Sequence, residues 1–415
     1  MLLRLLLRSV SLAAKFGLTI AIARALGFAA VGEYGLAVAV SVIASKLLGL
    51  GFSAELNRRM SGTQPAPAID TARALRMLYA SFYVIACASL LVAARCGWFP
   101  VASASPHLGL VLVVAASEHY ALEANTYAFS VHRMRPGSAM LFLRTGGWAA
   151  VAIAGLLGGV IADMRLVFLL WILANAGVIV WAWTLLGNIK PHVTHDADNI
   201  GRVTARLWET WKTGAPVYIG GVLLSGLQYA ERFVASTSLP AAELGRYVFA
   251  WSVANSVQTI AYATVGVIAG PRLARAAGGS TDEWRRVFRQ SLGRTLAIGV
   301  VAALAMAFGS PLIFSLAHEA ISRTSLGMFA VLLLSFVLRS AGDILWAASV
   351  SLKARWGLMA AMCAAASAAL PFSLWIIPGR SAIQVALAHL LASVAVLAAL
   401  AWMISYLSRR EKANV

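Results

Sequence analysis

The residues of this chain that could do chemistry sit inside apolar runs. The most polar of these is Ser117-Glu-His-Tyr-Ala-Leu-Glu-Ala-Asn-Thr126. At helical spacing His119 and Glu123 share one face, and Glu118 and Asn125 share another. An imidazole titrates near neutral pH, so this cluster could relay protons or hold a cation. The alternative is a satisfied hydrogen-bonded network. The pair is too sparse for a transition-metal site, and no metal or other cofactor is expected. Arg339 and Asp343 are i, i+4 on another run. They read as a structural ion pair, or as one that a proton or an anion could open. Tyr247, Trp251, Asn255, Gln258 and Tyr262 fall within roughly 40° of one helix direction. Aromatic rings beside amides suit sugars, stacking on the C–H face and bonding hydroxyls. Packing glued by Asn and Gln is the competing reading, with Tyr247 and Trp251 as residues of an interfacial belt. Lys46 falls near the middle of its run, too deep for easy snorkelling; a bound anion would offset its cost, and pairing with an acid or reaching to the interface is the competing reading. Arg24 and Arg232 fall near the ends of two runs, and Lys15 and Arg144 nearer the opposite side, where side chains can snorkel.

These positions matter because of the elements that hold them. Of 415 residues, 60% are hydrophobic and 12% charged, against about 25% charged in soluble domains. Apolar runs of about 20 residues recur throughout, the pattern of membrane-spanning helices. Twelve spans are expected, near 10–28, 34–56, 77–96, 107–130, 138–161, 166–187, 213–236, 245–269, 291–315, 324–351, 357–377 and 381–407. If the N-terminus is cytoplasmic, most of the 34 Lys and Arg fall on that side. Among them are Arg58, Arg59, Arg73 and Arg76, then Lys190 to Lys212, then Arg272 to Arg294. This asymmetry orients the chain with both termini cytoplasmic. It also explains the net charge of +18, so no nucleic-acid partner is implied. Arg4 and Arg8 before the first run mimic a signal peptide, and an uncleaved signal-anchor is the expectation. Cys87, Cys96 and Cys363 are too few and scattered for a disulfide framework. His192, His195, Asp196 and Asp198 read as a solvated linker.

Two stretches 213 residues apart read alike: Leu26-Gly-Phe-Ala-Ala-Val-Gly-Glu-Tyr-Gly-Leu-Ala37 and Leu239-Pro-Ala-Ala-Glu-Leu-Gly-Arg-Tyr-Val-Phe-Ala250. The runs they open end at Arg59 and Arg272, again 213 apart. Six spans separate the copies, so both halves keep one orientation, a parallel repeat. The expected fold is all-α. It has a six-helix bundle at 1–190, a cytoplasmic linker at 191–212 and a second six-helix bundle at 213–415, related by a pseudo-twofold axis.

The Ala-Arg-x-Leu-Gly…Gly-x-Tyr-Gly-x-Ala pattern from Ala23 to Ala37 resembles the first hairpin of Wzx-type polysaccharide and O-antigen flippases. So do Gln228-Tyr-Ala-Glu-Arg-Phe-Val-Ala235 and Gly270-Pro-Arg-Leu-Ala274. That family belongs to the multidrug/oligosaccharidyl-lipid/polysaccharide exporter superfamily. One departure is Glu231 where the family pattern often has Asp before the basic residue. The resemblance implies a MATE-like fold and no enzymatic activity. It implies inner-to-outer-leaflet transport of an undecaprenyl-diphosphate-linked oligosaccharide for cell-surface polysaccharide such as lipopolysaccharide or exopolysaccharide. H+ or Na+ would drive it in the bacterial inner membrane, beside a polysaccharide polymerase and a chain-length regulator. On this reading Lys46, Arg339, Arg24 and Arg232 handle the diphosphate, Trp251, Asn255, Gln258 and Tyr262 contact sugars, and Glu118, His119, Glu123 and Asp343 couple to cations. Two alternatives stay open. One is a cation-coupled multidrug antiporter of the same superfamily, because fold alone does not choose a substrate. The other is a membrane glycosyltransferase or polymerase, against which stand the short outer loops and the absence of a convincing pair of outer acids.

Overall fold

The computed structural model describes residues 2–62, 65–98, 106–189, 199–377 and 381–413. Among these residues there are helices and turns but no strand. The elements are α1 (Leu2–Leu26), α2 (Phe28–Leu48), α3 (Phe52–Met60), α4 (Ala66–Arg95), α5 (Leu108–Ser130), α6 (Met134–Leu157) and α7 (Met164–Gly187). They continue with α8 (Asn199–Ser238), α9 (Ala241–Ala276), α10 (Thr281–Leu316), α11 (Arg323–Ser351), α12 (Arg355–Ile376) and α13 (Ala382–Ala413). Leaving aside the short α3, these rods match the twelve expected spans one for one. Among the described residues, nine are long and apolar enough to cross a membrane. Those below that threshold are α1, α5 and α8; α5 and α8 carry His119, Glu123, Glu231 and Arg232.

The chain divides into two compact units, Met1–Tyr218 and Ile219–Val415. The boundary falls inside α8, and the second half of the segment expected as a linker is already helical from Asn199. His192, His195, Asp196 and Asp198 lie outside the described residues. The same helix pairing recurs in each unit. In the first, α2 packs on α5 and α5 on α7; in the second, α9 packs on α11 and α11 on α13. These are the second, fourth and sixth spans of each half, which is how a duplicated unit should pack. The two similar stretches open α2 and α9, and their tyrosines, Tyr34 and Tyr247, are both buried.

Small side chains set the packing. Ala121, Ala124 and Ala128 of α5 form a buried cluster with Val178 and Ala182 of α7. Between helices in lipid, close approach and dispersion replace the hydrophobic effect, so small residues occupy the contact. The short α3 buries Phe52, Leu56 and Met60 at i, i+4, i+8 against Ile69, Ala72 and Leu75. Its polar side pairs Glu55 with Arg58 and Arg59.

The second expected span, 34–56, is interrupted. α2 stops at Leu48, Leu50 and Gly51 adopt positive φ (51° and 76°), and α3 begins at Phe52. Tyr218 Oη donates to the Leu47 carbonyl (2.5 Å), and Tyr79 Oη donates to Gly49 O (3.1 Å), so carbonyls freed by the break find donors. A Cβ on Gly51 would lie 2.7 Å from Tyr218 Cβ. We expect Gly51→Ala to destabilise the protein by about 1–2 kcal/mol from its backbone conformation alone, and further through that collision. A lowered melting temperature of the detergent-solubilised protein checks this; an unchanged one would show that the break is soft.

Candidate functional site

In the first unit the polar residues of α5 separate into two clusters on two faces. The first forms a closed ring. Glu118 pairs with Arg144 through Oε1 and Nη1. Trp171 Nε1 donates to the other carboxylate oxygen at 2.9 Å. The Trp171 indole stacks on Trp148 (centroids 5.0 Å apart, 9° between planes). Trp148 Nε1 returns to the ring by donating to the Arg144 carbonyl, also at 2.9 Å. That carbonyl is available because residues Leu143–Gly147 of α6 form a π-helical turn, an irregularity often found at functional sites. Asn125, expected beside Glu118, instead donates to Gly137 O (2.8 Å). Arg144, read from sequence as a snorkelling side chain, is buried.

The second cluster centres on Glu123. Ser53 and Tyr127 donate to its two oxygens at 2.5 and 2.7 Å, and His119 Nε2 lies 3.6 Å from Oε1. His119 Nδ1 bonds Tyr83 Oη at 3.1 Å. The group sits against the α2–α3 break, for a Cβ on Gly49 would meet His119 Nε2 at 3.2 Å and Ser53 lies in the first turn of α3. Its carboxylate and imidazole, 3.6 Å apart, are each held by a hydroxyl hydrogen bond. Glu33, in the first of the two similar stretches, is buried and accepts from His107 Nδ1 (3.0 Å).

In the second unit, Arg232 is 1% exposed. Its guanidinium carbon lies 3.9 Å from the Trp251 ring centroid and 5.0 Å from that of Tyr229, a desolvated cation–π contact of about 2 kcal/mol. Arg232 lies near the end of α8 with its side chain buried inside the unit. Trp251, 4% exposed, serves this core and is not on an open sugar-facing surface. Tyr247 is likewise buried, its hydroxyl donating to Glu231 Oε1 at 3.0 Å. The accessible part of the α9 stripe is Asn255, Gln258 and Tyr262, beside a second π-helical turn at Tyr262–Gly266. Arg339 and Asp343 share a face as expected, yet each uses other partners. Arg339 donates to Leu227 O and to Ser393 Oγ, both at 3.0 Å, while Asp343 accepts from Gln258 Nε2 at 2.9 Å. Ser335 bridges Ser393 and His389 Nδ1, at 2.7 Å to each.

Three cations on the first two helices form no ion pair in these networks. Lys46 is in the last turn of α2, where the helix dipole favours a cation, and is not at mid-helix as its run implied. It is exposed, as are Lys15 and Arg24 of α1. Among the described residues none of the three has a carboxylate within 4.0 Å. Residues missed by sequence reasoning are Trp148, Trp171, Ser53, Tyr83, Tyr127, His389, Ser335 and Ser393. For the tryptophans a signal existed, because mid-run indoles need partners for their N–H groups. Single serines and tyrosines carry no such signal.

No known family model matches the sequence, and no curated protein matches it. Solved structures do match. One is "Lipid II flippase MurJ, inward closed conformation", with TM-score 0.71, 11% identity, and coverage of 98% of this chain and 88% of that one. An inward-facing multidrug resistance MATE family transporter of the MOP superfamily matches with TM-score 0.71 and 13% identity, covering 98% and 96%. A MOP superfamily transporter from Pyrococcus furiosus matches with TM-score 0.60 and 12% identity, covering 97% and 95%. At such identities the likeness establishes the fold: this is a multi-pass, two-bundle helical protein with the architecture of MOP superfamily transporters and flippases.

The ring predicts a double-mutant outcome. Arg144→Met strands the Glu118 carboxylate and should cost about 3–5 kcal/mol. Adding Glu118→Gln should recover most of that loss. Thermal unfolding of both variants in one detergent checks it; additive losses would show that the two residues do not depend on each other.

Proposed function

We propose that this protein is a flippase that carries an undecaprenyl-diphosphate-linked oligosaccharide from the inner to the outer leaflet of a bacterial inner membrane, by alternating access of its two units. One observation carries this reading. The buried charges have partners, whereas Lys15, Arg24 and Lys46, on the first two helices, are exposed and, among the described residues, have no carboxylate within 4.0 Å. Unmatched cations on spanning helices are costly unless an anion visits them, and a diphosphate headgroup is such an anion. A cationic drug would call for the opposite charge, which disfavours the multidrug-antiporter reading. The polyprenyl tail stays in the bilayer, so only headgroup and sugars need a polar path. Asn255, Gln258 and Tyr262 offer amides and an exposed ring for the sugars. The His119–Glu123 cluster, packed against the α2–α3 break, is the candidate for coupling to H+ or Na+, and Asp343 is a second. Both termini are assigned to the cytoplasm on the loop charges, and the glycan would pass to a polymerase for assembly of surface polysaccharide.

The test is deletion in the native host followed by lipid extraction and leaflet-specific labelling. Accumulation of lipid-linked repeat units on the inner leaflet is expected; unchanged pools on both leaflets overturn the proposal. Lys46→Ala, an exposed substitution, should reach normal protein levels and lower transport by roughly tenfold, the effect of one lost ionic contact worth about 1.4 kcal/mol. Full complementation by it would remove Lys46 from the path.

A further inference from the structure

We propose that Lys15 and Arg144 form a diphosphate-binding site on the first unit, in which Glu118 occupies Arg144 until the anion arrives. The proposal deepens the function above by naming a headgroup subsite, and rests on that reading only for the identity of the lipid.

Four observations converge. First, the site carries surplus positive charge. Lys15 and Arg144 are two cations, Glu118 is one anion, and Lys15 lies within electrostatic reach of both. Second, Arg144 is only half used. Glu118 engages Nη1, while the Nε of this buried side chain has no hydrogen-bond partner. A buried guanidinium N–H without an acceptor is costly and marks a place for an oxygen. Third, α1 and the π-helical turn touch through their backbones. A Cβ on Gly146 would lie 2.6 Å from Ser11 Cα. Lys15 is i+4 from Ser11, so it emerges on the face that adjoins the segment carrying Arg144. Fourth, the ring allows exchange. Trp148 holds the Arg144 carbonyl and Trp171 holds Glu118. When the Arg144 side chain swings to an anion, the backbone stays fixed and Glu118 keeps a donor.

The residue types suit this cargo. A guanidinium takes two phosphate oxygens through its planar fork, and an ammonium supplies a compact charge for a third. In the bound state Arg144 and Lys15 face the phosphate oxygens while Glu118 keeps only the neutral Trp171 N–H, so the exchange is driven by the greater charge of the incoming anion. Glu118 thus acts as a built-in competitor that keeps Arg144 paired in the empty protein and is displaced by an anion of higher charge. An uncharged or cationic solute could not make this exchange.

The experiment uses the full-length protein in nanodiscs of zwitterionic lipid. Inorganic pyrophosphate is titrated by calorimetry, and undecaprenyl diphosphate binding is followed by native mass spectrometry. Lys15→Ala should weaken binding by roughly tenfold and Lys15→Arg by less than about threefold, while Glu118→Gln should tighten pyrophosphate binding several-fold by removing the competitor. Lys15 is exposed, so its variants should retain the wild-type melting temperature and decide the matter even if Glu118→Gln folds poorly. Lys15-dependent binding of the lipid diphosphate assigns the site to a headgroup; Lys15-dependent binding of pyrophosphate alone assigns it to a free anion. Equal affinities of wild type and Lys15→Ala for both probes, or no binding of either by wild type, overturn it. The outcome separates from that of the transport assay. Transport with Lys15-independent binding removes this site and keeps the function; Lys15-dependent binding without transport keeps the site and removes the function.

Discussion

A charge carried on a helix through hydrocarbon must find its compensation from neighbouring helices, because lipid offers none. The rest of this structure is arranged around that requirement. In the first unit the answer is an ion pair, Glu118 with Arg144, locked by two stacked indoles whose N–H groups close the ring. In the second it is a guanidinium laid on tryptophan and tyrosine rings, and another spread over a carbonyl and a hydroxyl. These solutions work only at short range. They therefore demand close helix packing, which the alanines of α5 and its neighbours provide.

Irregular backbone follows from the same requirement. The π-helical turn in α6 releases the carbonyl that Trp148 needs. The α2–α3 break frees carbonyls that Tyr79 and Tyr218 satisfy. Both irregularities lie beside ionisable clusters. Deforming a helix is tolerated where neighbouring side chains restore its lost hydrogen bonds, and such a place can also move. The pairing of the His119–Glu123 group with a helix break therefore has mechanical content, for a change in its hydrogen bonding acts directly on the ends of α2 and α3.

Against this background the exposed Lys15, Arg24 and Lys46 gain meaning. The fold compensates the charges it buries, while among the described residues no carboxylate lies within 4.0 Å of these three. A protein that needed them only for stability could have paired them as it paired Arg144. They lie on the two helices that open the chain, one of which carries the first copy of the repeated stretch. The corresponding region of the second half buries Tyr247, Trp251 and Arg232 instead. The duplicated scaffold has thus been specialised unequally.

The sequence by itself determined the elements. Run length and composition gave twelve helical rods, and the repeat at 213 residues gave two like units, because these are local properties of a chain that must satisfy its own backbone in lipid. It also picked out His119 with Glu123, since i, i+4 spacing on one helix brings side chains together whatever surrounds them. Only the tertiary structure decided the partners across helices. Arg339 and Asp343 obey the same spacing but are each drawn to other helices. Trp251 belongs to a stripe that could face a sugar, and instead supports a buried arginine. Lys46 looked deep until a break in the backbone placed it at a helix end. The physical reason is angular. Successive residues on a helix differ by about 100°, so a modest rotation of one helix against another decides whether a side chain meets a partner, a core or open space. Nothing local in the sequence sets that rotation.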